Sequence, residues 1–154
     1  MFIPKAHYSH LVGLLEVLDD FSGRVDAAKI ADELNLELDD LLPVIEVAEI
    51  LGFLKVESGD VLLTSDGLNF LSDGIRSRKN LLREKLLNLD IFKKLIDFIN
   101  KKEDKVVTKE ELLIFLAEEI HDIDSELAFK WIIEWGRHGL LIRYDSKEDK
   151  IKLY

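Results

Sequence analysis

The stretch from Leu38 to Gly67 constrains the fold most, because it predicts one helix that turns sharply into a two-stranded ribbon. Gly52 suits the left-handed position that follows the last turn of many helices. Two short runs of strand-forming residues, 53–57 and 61–64, then flank a turn at Gly59. The helix itself has apolar residues at the i, i+3, i+4, i+7 spacing of one buried face, namely Leu38, Leu41, Leu42, Ile45 and Ala48.

The start of this helix is expected at Asp39 or Asp40, because an aspartate side chain can accept a backbone N–H that has no helical partner. Pro43 would then fall in the first turn, where its missing N–H costs no hydrogen bond. A helix, a tight exit and a hairpin in this order are typical of the closing half of a winged helix-turn-helix unit.

The side of this helix opposite the apolar stripe is acidic. It carries Asp39, Asp40, Glu46 and Glu49, and it contains no Lys or Arg. In a DNA-reading winged helix this side lies in the major groove, and most non-specific DNA affinity comes from Lys and Arg that neutralise phosphates. The acidic side therefore predicts either a solvated face or a docking surface for a protein partner.

Apolar spacing predicts the remaining elements of a first unit. One helix is expected from about Ser9, as its N-cap, to Phe21, with an apolar stripe of four leucines at positions 11, 14, 15 and 18. A second is expected from Ala27 to Leu34 with its end at Asn35. A brief helix that includes Leu68, Phe70 and Leu71 should follow the ribbon. The order of three helices and a hairpin is that of a winged helix.

A weaker copy of the pattern is predicted in the second half. A helix from Ser125 to His138, capped by Asp122 or Asp124 and ended by Gly139, should lead into strands at 140–144 and 150–154. Its apolar side would carry Leu127, Ala128, Trp131 and Trp135, and its outer side has mixed charges at pairing distance along the helix, namely Glu126, Lys130, Glu134 and Arg137.

The segment before that copy predicts one more helix, a short strand and a helix start. Apolar spacing over Ile91–Ile99 predicts the helix, and Val106-Val107 the strand. Thr108 and Glu111 then have the spacing of a capping box.

The fold class is therefore predicted as α+β, mainly α with small β-hairpins. We expect two tandem winged-helix units, residues 1–74 and 90–154, joined by a connecting helix over 75–89.

The charge of the chain is distributed unevenly between these parts. Residues 1–74 contain 4 basic and 15 acidic residues, whereas residues 75–154 contain 17 basic and 16 acidic residues. An acidic first half argues against nucleic-acid binding there. The connecting segment is the most basic, and it could be a solvated helix face or a contact patch for an acidic partner or a phosphate backbone: Arg76, Arg78, Lys79, Arg83 and Lys85.

The composition narrows the class of protein. A chain of 154 residues with 47% hydrophobic and 34% charged residues is typical of a globular protein. The absence of cysteine excludes disulfides and thiolate metal sites and favours a reducing compartment. No apolar run approaches the roughly 20 residues that span a bilayer, and the start has no signal-peptide core. We therefore expect a cytoplasmic protein that does not insert into a membrane.

No catalytic or cofactor-binding motif is present. The chain has no GxxxxGK[ST] phosphate loop, no GxSxG turn and no HExxH helix. The pairs Asp19-Asp20 and Asp39-Asp40 lack the alternating ligands of a calcium loop, and two histidines, His7 and His10, are too few for a zinc site. We expect no enzyme activity, no metal and no cofactor.

One family resemblance is carried by the organising stretch. The run Leu41–Phe53 (LLPVIEVAEILGF), Gly59-Asp60-Val61 and Leu63–Gly67 (LTSDG) resemble the signature of the AAA-associated C-terminal domain. That domain follows the ATPase subunit of nitrate/sulfonate-type ABC transporters and also occurs alone in archaeal proteins. The resemblance implies an accessory, regulatory module that acts on an ATPase, and it carries over no catalytic residues.

The sequence is compatible with three functions. The first is a regulatory module that binds a protein partner, an ABC-type ATPase among the candidates, through the acidic side or the ribbons. The alternative is a winged-helix DNA-binding transcriptional regulator that uses the second unit and the basic segment. The third is an assembly subunit whose apolar patch forms a homodimer interface.

Overall fold

The computed structural model describes all 154 residues and contains eight helices and two three-stranded antiparallel sheets. This composition confirms the predicted α+β class, mainly helical with small hairpins. The chain divides into two compact units. The first unit is residues 5–78, and the second unit is residues 79–154 together with residues 1–4.

The first unit contains four complete helices, the start of a fifth and one sheet. Its sheet has the strand order β1-β3-β2, so that the last strand of the unit lies in the centre. The elements are α1 (Tyr8–Asp20), β1 (Arg24–Asp26), α2 (Ala27–Leu34), α3 (Leu38–Ile50), β2 (Leu54–Glu57), β3 (Asp60–Leu63), α4 (Ser65–Ser72) and the first turn of α5 (Ile75–Leu86).

The second unit repeats this topology after the remainder of α5. Its elements are α6 (Asp90–Asn100), β4 (Val106–Thr108), α7 (Lys109–Glu119), α8 (Ser125–His138), β5 (Ile142–Asp145) and β6 (Lys150–Leu153). The strand order β4-β6-β5 matches that of the first sheet. Both units therefore run helix, strand, helix, helix, strand, strand, and α3 and α8 hold the same position in their units.

The sequence did not predict β1. Only Val25 of its three residues is buried, so the segment has no apolar pattern of its own. It is a strand because its backbone pairs with β3, with Val25 opposite Val61. Ser22 and Gly23, both at positive φ, turn the chain from α1 into this pairing.

The cores agree with most of the predicted apolar stripes. In the first unit all four predicted α1 leucines are fully buried: Leu11, Leu14, Leu15 and Leu18. In the second unit four apolar residues of α6 and Trp135 of α8 are also fully buried. Leu127 was expected on the inner side of α8 but is 43% exposed, whereas the next two residues, Ala128 and Phe129, are buried.

Two predicted helix starts were wrong. Helix α3 begins at Leu38 with Glu37 as N-cap, so Asp39 and Asp40 lie inside the first turn. Their negative charges there are stabilised by the positive end of the helix dipole. Pro43 consequently falls in the second turn and not in the first. Helix α1 begins at Tyr8, with His7 and not Ser9 at the N-cap.

Three other predicted end signals hold. Asn35 ends α2 in the left-handed conformation, with φ of 54°. Asp124 caps α8 with its side chain. The capping box at the start of α7 is complete, because the Glu111 N–H donates to the Thr108 hydroxyl while the Thr108 N–H donates to the Glu111 carboxylate.

The two helix exits use different residues for the same turn. Gly52 has φ of 84°, its N–H donates to the Glu49 carbonyl, and the next N–H donates to Ala48. The equivalent residue of the second unit is Leu140, at φ of 57°, and not Gly139, at −85°. The turn that Gly52 makes in the first unit is therefore made in the second unit by Leu140, one residue after the glycine predicted to end α8.

Gly139 leaves room for a neighbouring side chain and is not needed for its backbone angle. A Cβ atom at this position would lie 2.4 Å from Leu86 Cδ1 of α5, within the same unit. No helix of the structure combines the length and the apolar character needed to cross a membrane.

Candidate functional site

The outer side of α3 mixes carboxylates with exposed apolar residues. Leu38, Leu42 and Ile50 are 44%, 50% and 44% exposed. The predicted stripe, which placed Leu38 and Leu42 inward, was therefore partly wrong. Helix α3 has apolar residues around most of its circumference, so the packing decides which of them are buried: Leu41, Val44, Ile45, Val47 and Ala48.

Three of the four predicted carboxylates share this exposed side. Asp39, Glu46 and Glu49 lie among the three apolar residues, whereas Asp40 is exposed about 120° away from Glu46 around the helix axis. None of the four carboxylates makes an ion pair or a side-chain hydrogen bond within the chain. We call the set Leu38, Asp39, Leu42, Glu46, Glu49 and Ile50 the α3 face. Its charge and apolar area are both available to a partner.

The predicted basic patch on α5 is divided between the two units. Arg76 and Arg78 belong to the first unit, and Lys79, Arg83 and Lys85 belong to the second. The Arg78 guanidinium donates to the carbonyls of Phe70 and Leu71 and lies 5.1 Å from the Phe70 ring centroid. The Arg83 guanidinium donates to the Leu140 carbonyl. Two of the five predicted residues thus hold the structure of their own unit.

A groove of about 630 Å³ lies along the outer side of α8 in the second unit. Lys79 of α5 and Tyr144 of β5 border it, and the buried side chains of Phe129 and Ile133 contribute apolar surface. The other lining residues come from α8: Lys130, Glu134, Arg137 and His138. Sequence reasoning missed this groove, because its walls come from three elements that only the fold brings together.

The groove has more positive than negative charge. Lys79, Lys130 and Arg137 take part in no ion pair or hydrogen bond within the chain, and Glu134 is the one carboxylate in the lining. The predicted pairing of Lys130 with Glu126 is not formed, because the Glu126 carboxylate pairs with Lys109 Nζ at 3.4 Å. An arrangement of unpaired cations beside apolar surface can bind an anion.

The pKa of His138 responds to the same surroundings. Burial lowers this pKa below its ordinary value, and the nearby charges of Lys79 and Arg137 lower it further, whereas Glu134 opposes the shift. The neutral imidazole is therefore favoured in the folded protein.

The residues that carried the family resemblance form a hydrogen-bonded connection between two helices of the first unit. The Thr64 hydroxyl donates to the Gly52 carbonyl at 2.6 Å and accepts the Gly67 N–H at 3.1 Å. The Thr64 N–H donates to the Phe53 carbonyl. A Cβ atom on Gly67 would lie 2.1 Å from the Phe53 oxygen, so only glycine fits there. The motif thus joins the exit of α3 to the start of α4.

No group of three or more His, Asp or Glu side chains in the structure is arranged to hold a metal ion. His7 and His10, considered in the sequence as possible ligands, contact each other edge to face with ring centroids 5.5 Å apart.

Comparison with known families bears out the resemblance. The family described as the C-terminal AAA-associated domain matches residues 28–145, a range that includes both the α3 face and the groove on α8. Comparisons with curated proteins and with solved structures give no significant match. The match covers well over half of the chain, and the protein therefore belongs to the family of C-terminal AAA-associated domains.

Proposed function

We propose that the protein is a non-catalytic regulatory module that docks on an ATPase through the α3 face. The observation that carries this proposal is the exposure of three large apolar side chains among three unpaired carboxylates on one helix. Membership of a family defined by its association with ATPases supports an ATPase as the partner. We also propose that the protein is located in the cytoplasm, as expected from its cysteine-free sequence.

We interpret each unit as a winged helix. The order helix, strand, helix, helix, strand, strand and the central position of the last strand support this interpretation. In such a unit α3 holds the position of the DNA-recognition helix. Its carboxylates would repel phosphates, so the position is better suited to a protein partner.

The chemistry of the α3 face defines the chemistry of its partner. Leu38, Leu42 and Ile50 are already about half-buried, so complete burial of each would contribute roughly 1 kcal/mol. Exposed carboxylates contribute more to association rate and specificity than to affinity. The complementary surface should therefore be apolar with basic residues at its edge.

The proposal is tested by charge reversal on this face. We expect the double variant Glu46→Lys, Glu49→Lys to keep its helical circular dichroism and to lose capture of the ATPase from an extract, with the captured protein identified by mass spectrometry. The matched control is Asp32→Lys, Glu33→Lys, which makes the same charge change in the last turn of α2, where lysine suits the helix end. Equal capture by both variants would exclude the α3 face.

Self-association through the same face is a separate proposal with a separate measurement. A homodimer would appear as twice the 17.8 kDa chain mass in light scattering. The variant Leu38→Ser, Leu42→Ser should then return the mass to that of one chain. A monomeric wild-type protein at high concentration would remove this possibility.

The alternative function is DNA binding through the second unit. The unpaired cations Lys130 and Arg137 on α8 favour it, because α8 holds the recognition-helix position of that unit. Two observations argue against DNA binding. Arg78 and Arg83 donate hydrogen bonds to backbone carbonyls, and the net charge of the chain is −10. Fluorescence anisotropy with a DNA duplex at low salt tests this alternative, and a steep loss of binding with added salt would support it.

A further inference from the structure

We propose that the groove along α8 binds a small polyanion with a planar apolar part, such as a nucleotide. This inference concerns the second unit alone and does not depend on the docking of the α3 face. It assigns a ligand class to a surface that the family match leaves without one. The argument rests on the charges, the volume and the walls of the groove.

The first argument is the cluster of unpaired cations. The chain has 31 acidic and only 21 basic residues, so a cluster of cations is opposite in sign to its overall charge. Other lysines of the second unit do form ion pairs, as Lys94 does with Glu119 and Lys102 with Glu111. Lys79, Lys130 and Arg137 instead face the same groove without a partner. Like charges held together repel, and a bound anion would remove that repulsion.

The second argument is the shape of the groove. Its volume of about 630 Å³ lies in the range of about 300–1,000 Å³ that is typical of small-molecule sites. Phe129 and Tyr144 contact each other edge to face, with ring centroids 5.5 Å apart, and Ile133 continues the apolar surface. Phe129 and Ile133 are nearly buried, so the partly exposed ring of Tyr144 is the surface offered to a flat apolar group, while the cations at the rim suit phosphates or carboxylates.

A small ligand fits this groove better than a nucleic-acid duplex. The cations surround a concave surface, and Glu134 lies between Lys130 and Arg137 on the helix, where a phosphate backbone would pass. Three cations neutralise only a few phosphates, and the net charge of −10 opposes a long polyanion. A compact ligand brings fewer negative charges near Glu134 and the rest of the chain than a duplex does.

The test uses three probes that separate charge from the planar part. ATP without magnesium carries both, tripolyphosphate carries only the charge, and adenosine carries only the ring. Calorimetric titration of the full chain at low salt measures each affinity. We expect ATP to bind more tightly than tripolyphosphate and adenosine not to bind. The fluorescence of Trp131 and Trp135, which lie on α8 itself, should change with ATP.

Charge reversal locates the binding. We expect Lys130→Glu, Arg137→Glu to weaken ATP binding at least tenfold. The matched control, Lys93→Glu, Lys147→Glu, makes the same charge change at exposed positions of the same unit and outside the groove, and it should bind ATP as the wild type does. Circular dichroism verifies that both variants fold.

Four results would overturn the proposal. The first is the absence of binding by all three probes at millimolar concentration, and the second is an equal loss in the two double variants. Equal affinity for ATP and tripolyphosphate would remove the planar part of the ligand. A duplex that binds through Lys130 and Arg137 and is not displaced by ATP would make the groove a nucleic-acid surface instead.

Discussion

Replacement of Gly67 by alanine is expected to destabilise the first unit by about 3 kcal/mol, although sequence propensity predicts the opposite. Gly67 lies in the first turn of α4 with no unusual backbone angle, and alanine is favoured over glycine in a helix by about 1 kcal/mol. The structure opposes that preference. The new Cβ atom would lie 2.1 Å from the Phe53 carbonyl oxygen and 2.6 Å from Leu63 Cδ1.

The magnitude follows from what must move. Real Cβ atoms essentially never lie within 3.0 Å of another heavy atom, so the Phe53 carbonyl or the start of α4 must shift by about 0.9 Å. Overpacking of this kind costs about 3 kcal/mol. The shift also weakens the Thr64 N–H bond to that carbonyl, which contributes about 1 kcal/mol. After the helix preference is subtracted, about 3 kcal/mol of destabilisation remains.

Urea unfolding measures this effect with two matched controls. Gly59 has φ of 85° and open space around it, so Gly59→Ala should cost only about 1 kcal/mol from the backbone. Gly74 has neither a positive φ nor a close neighbour, so Gly74→Ala should change stability by less than about 0.5 kcal/mol.

The readouts distinguish the two units. Trp131 and Trp135 both lie in the second unit, so tryptophan fluorescence follows that unit while circular dichroism follows the whole chain. With a denaturant slope of about 2 kcal/mol/M, Gly67→Ala should lower the urea midpoint of the first unit by about 1.5 M. A Gly67→Ala protein as stable as the wild type would refute the close approach at Phe53.

Two further predictions concern helix α3 and the capping box of α7. Pro43→Ala should raise the free energy of unfolding by about 1–2 kcal/mol, because it restores an N–H in the second turn of α3. Pro43→Gly should gain less stability than Pro43→Ala, because glycine disfavours a helix. Lower stability of both variants in thermal unfolding would refute this account. Lys102, as the main cause, and the Thr108 N–H hold the pKa of Glu111 below its ordinary value of 4.5, so the carboxylate stabilises the fold above that value and loses this effect as the pH falls. Thermal unfolding of Glu111→Gln should therefore show a weaker decline in Tm below about pH 5 than the wild type. The control variant Glu110→Gln should decline as the wild type does. Identical pH profiles for Glu111→Gln and the wild type would contradict a stabilising role of the Glu111 carboxylate.

The parts of the fold that depend on neighbours along the chain were predictable. Apolar spacing located the helices, and the end signals at Asn35, Gly52 and Thr108 have the predicted geometry. These residues act through hydrogen bonds and backbone angles within a few positions, so the sequence contains all that determines them. The hairpins that follow α3 and α8 were predictable for the same reason.

The features that depend on distant residues were not predictable. Strand β1 exists because its backbone pairs with β3, and its three residues show almost no strand pattern. Leu140 takes the left-handed angle that sequence reasoning assigned to a glycine, and Gly139 instead leaves room for Leu86. In each position a contact far along the chain decides the local conformation.

The candidate sites divide in the same way. The carboxylates of α3 and its lack of basic residues were predictable, since charge depends only on composition and helical spacing. The exposure of Leu38 and Leu42 beside those carboxylates was not, and neither was the meeting of Lys79, Lys130 and Tyr144 in one groove. Burial and convergence follow from the packing of several elements, and one helix read alone does not fix its own environment.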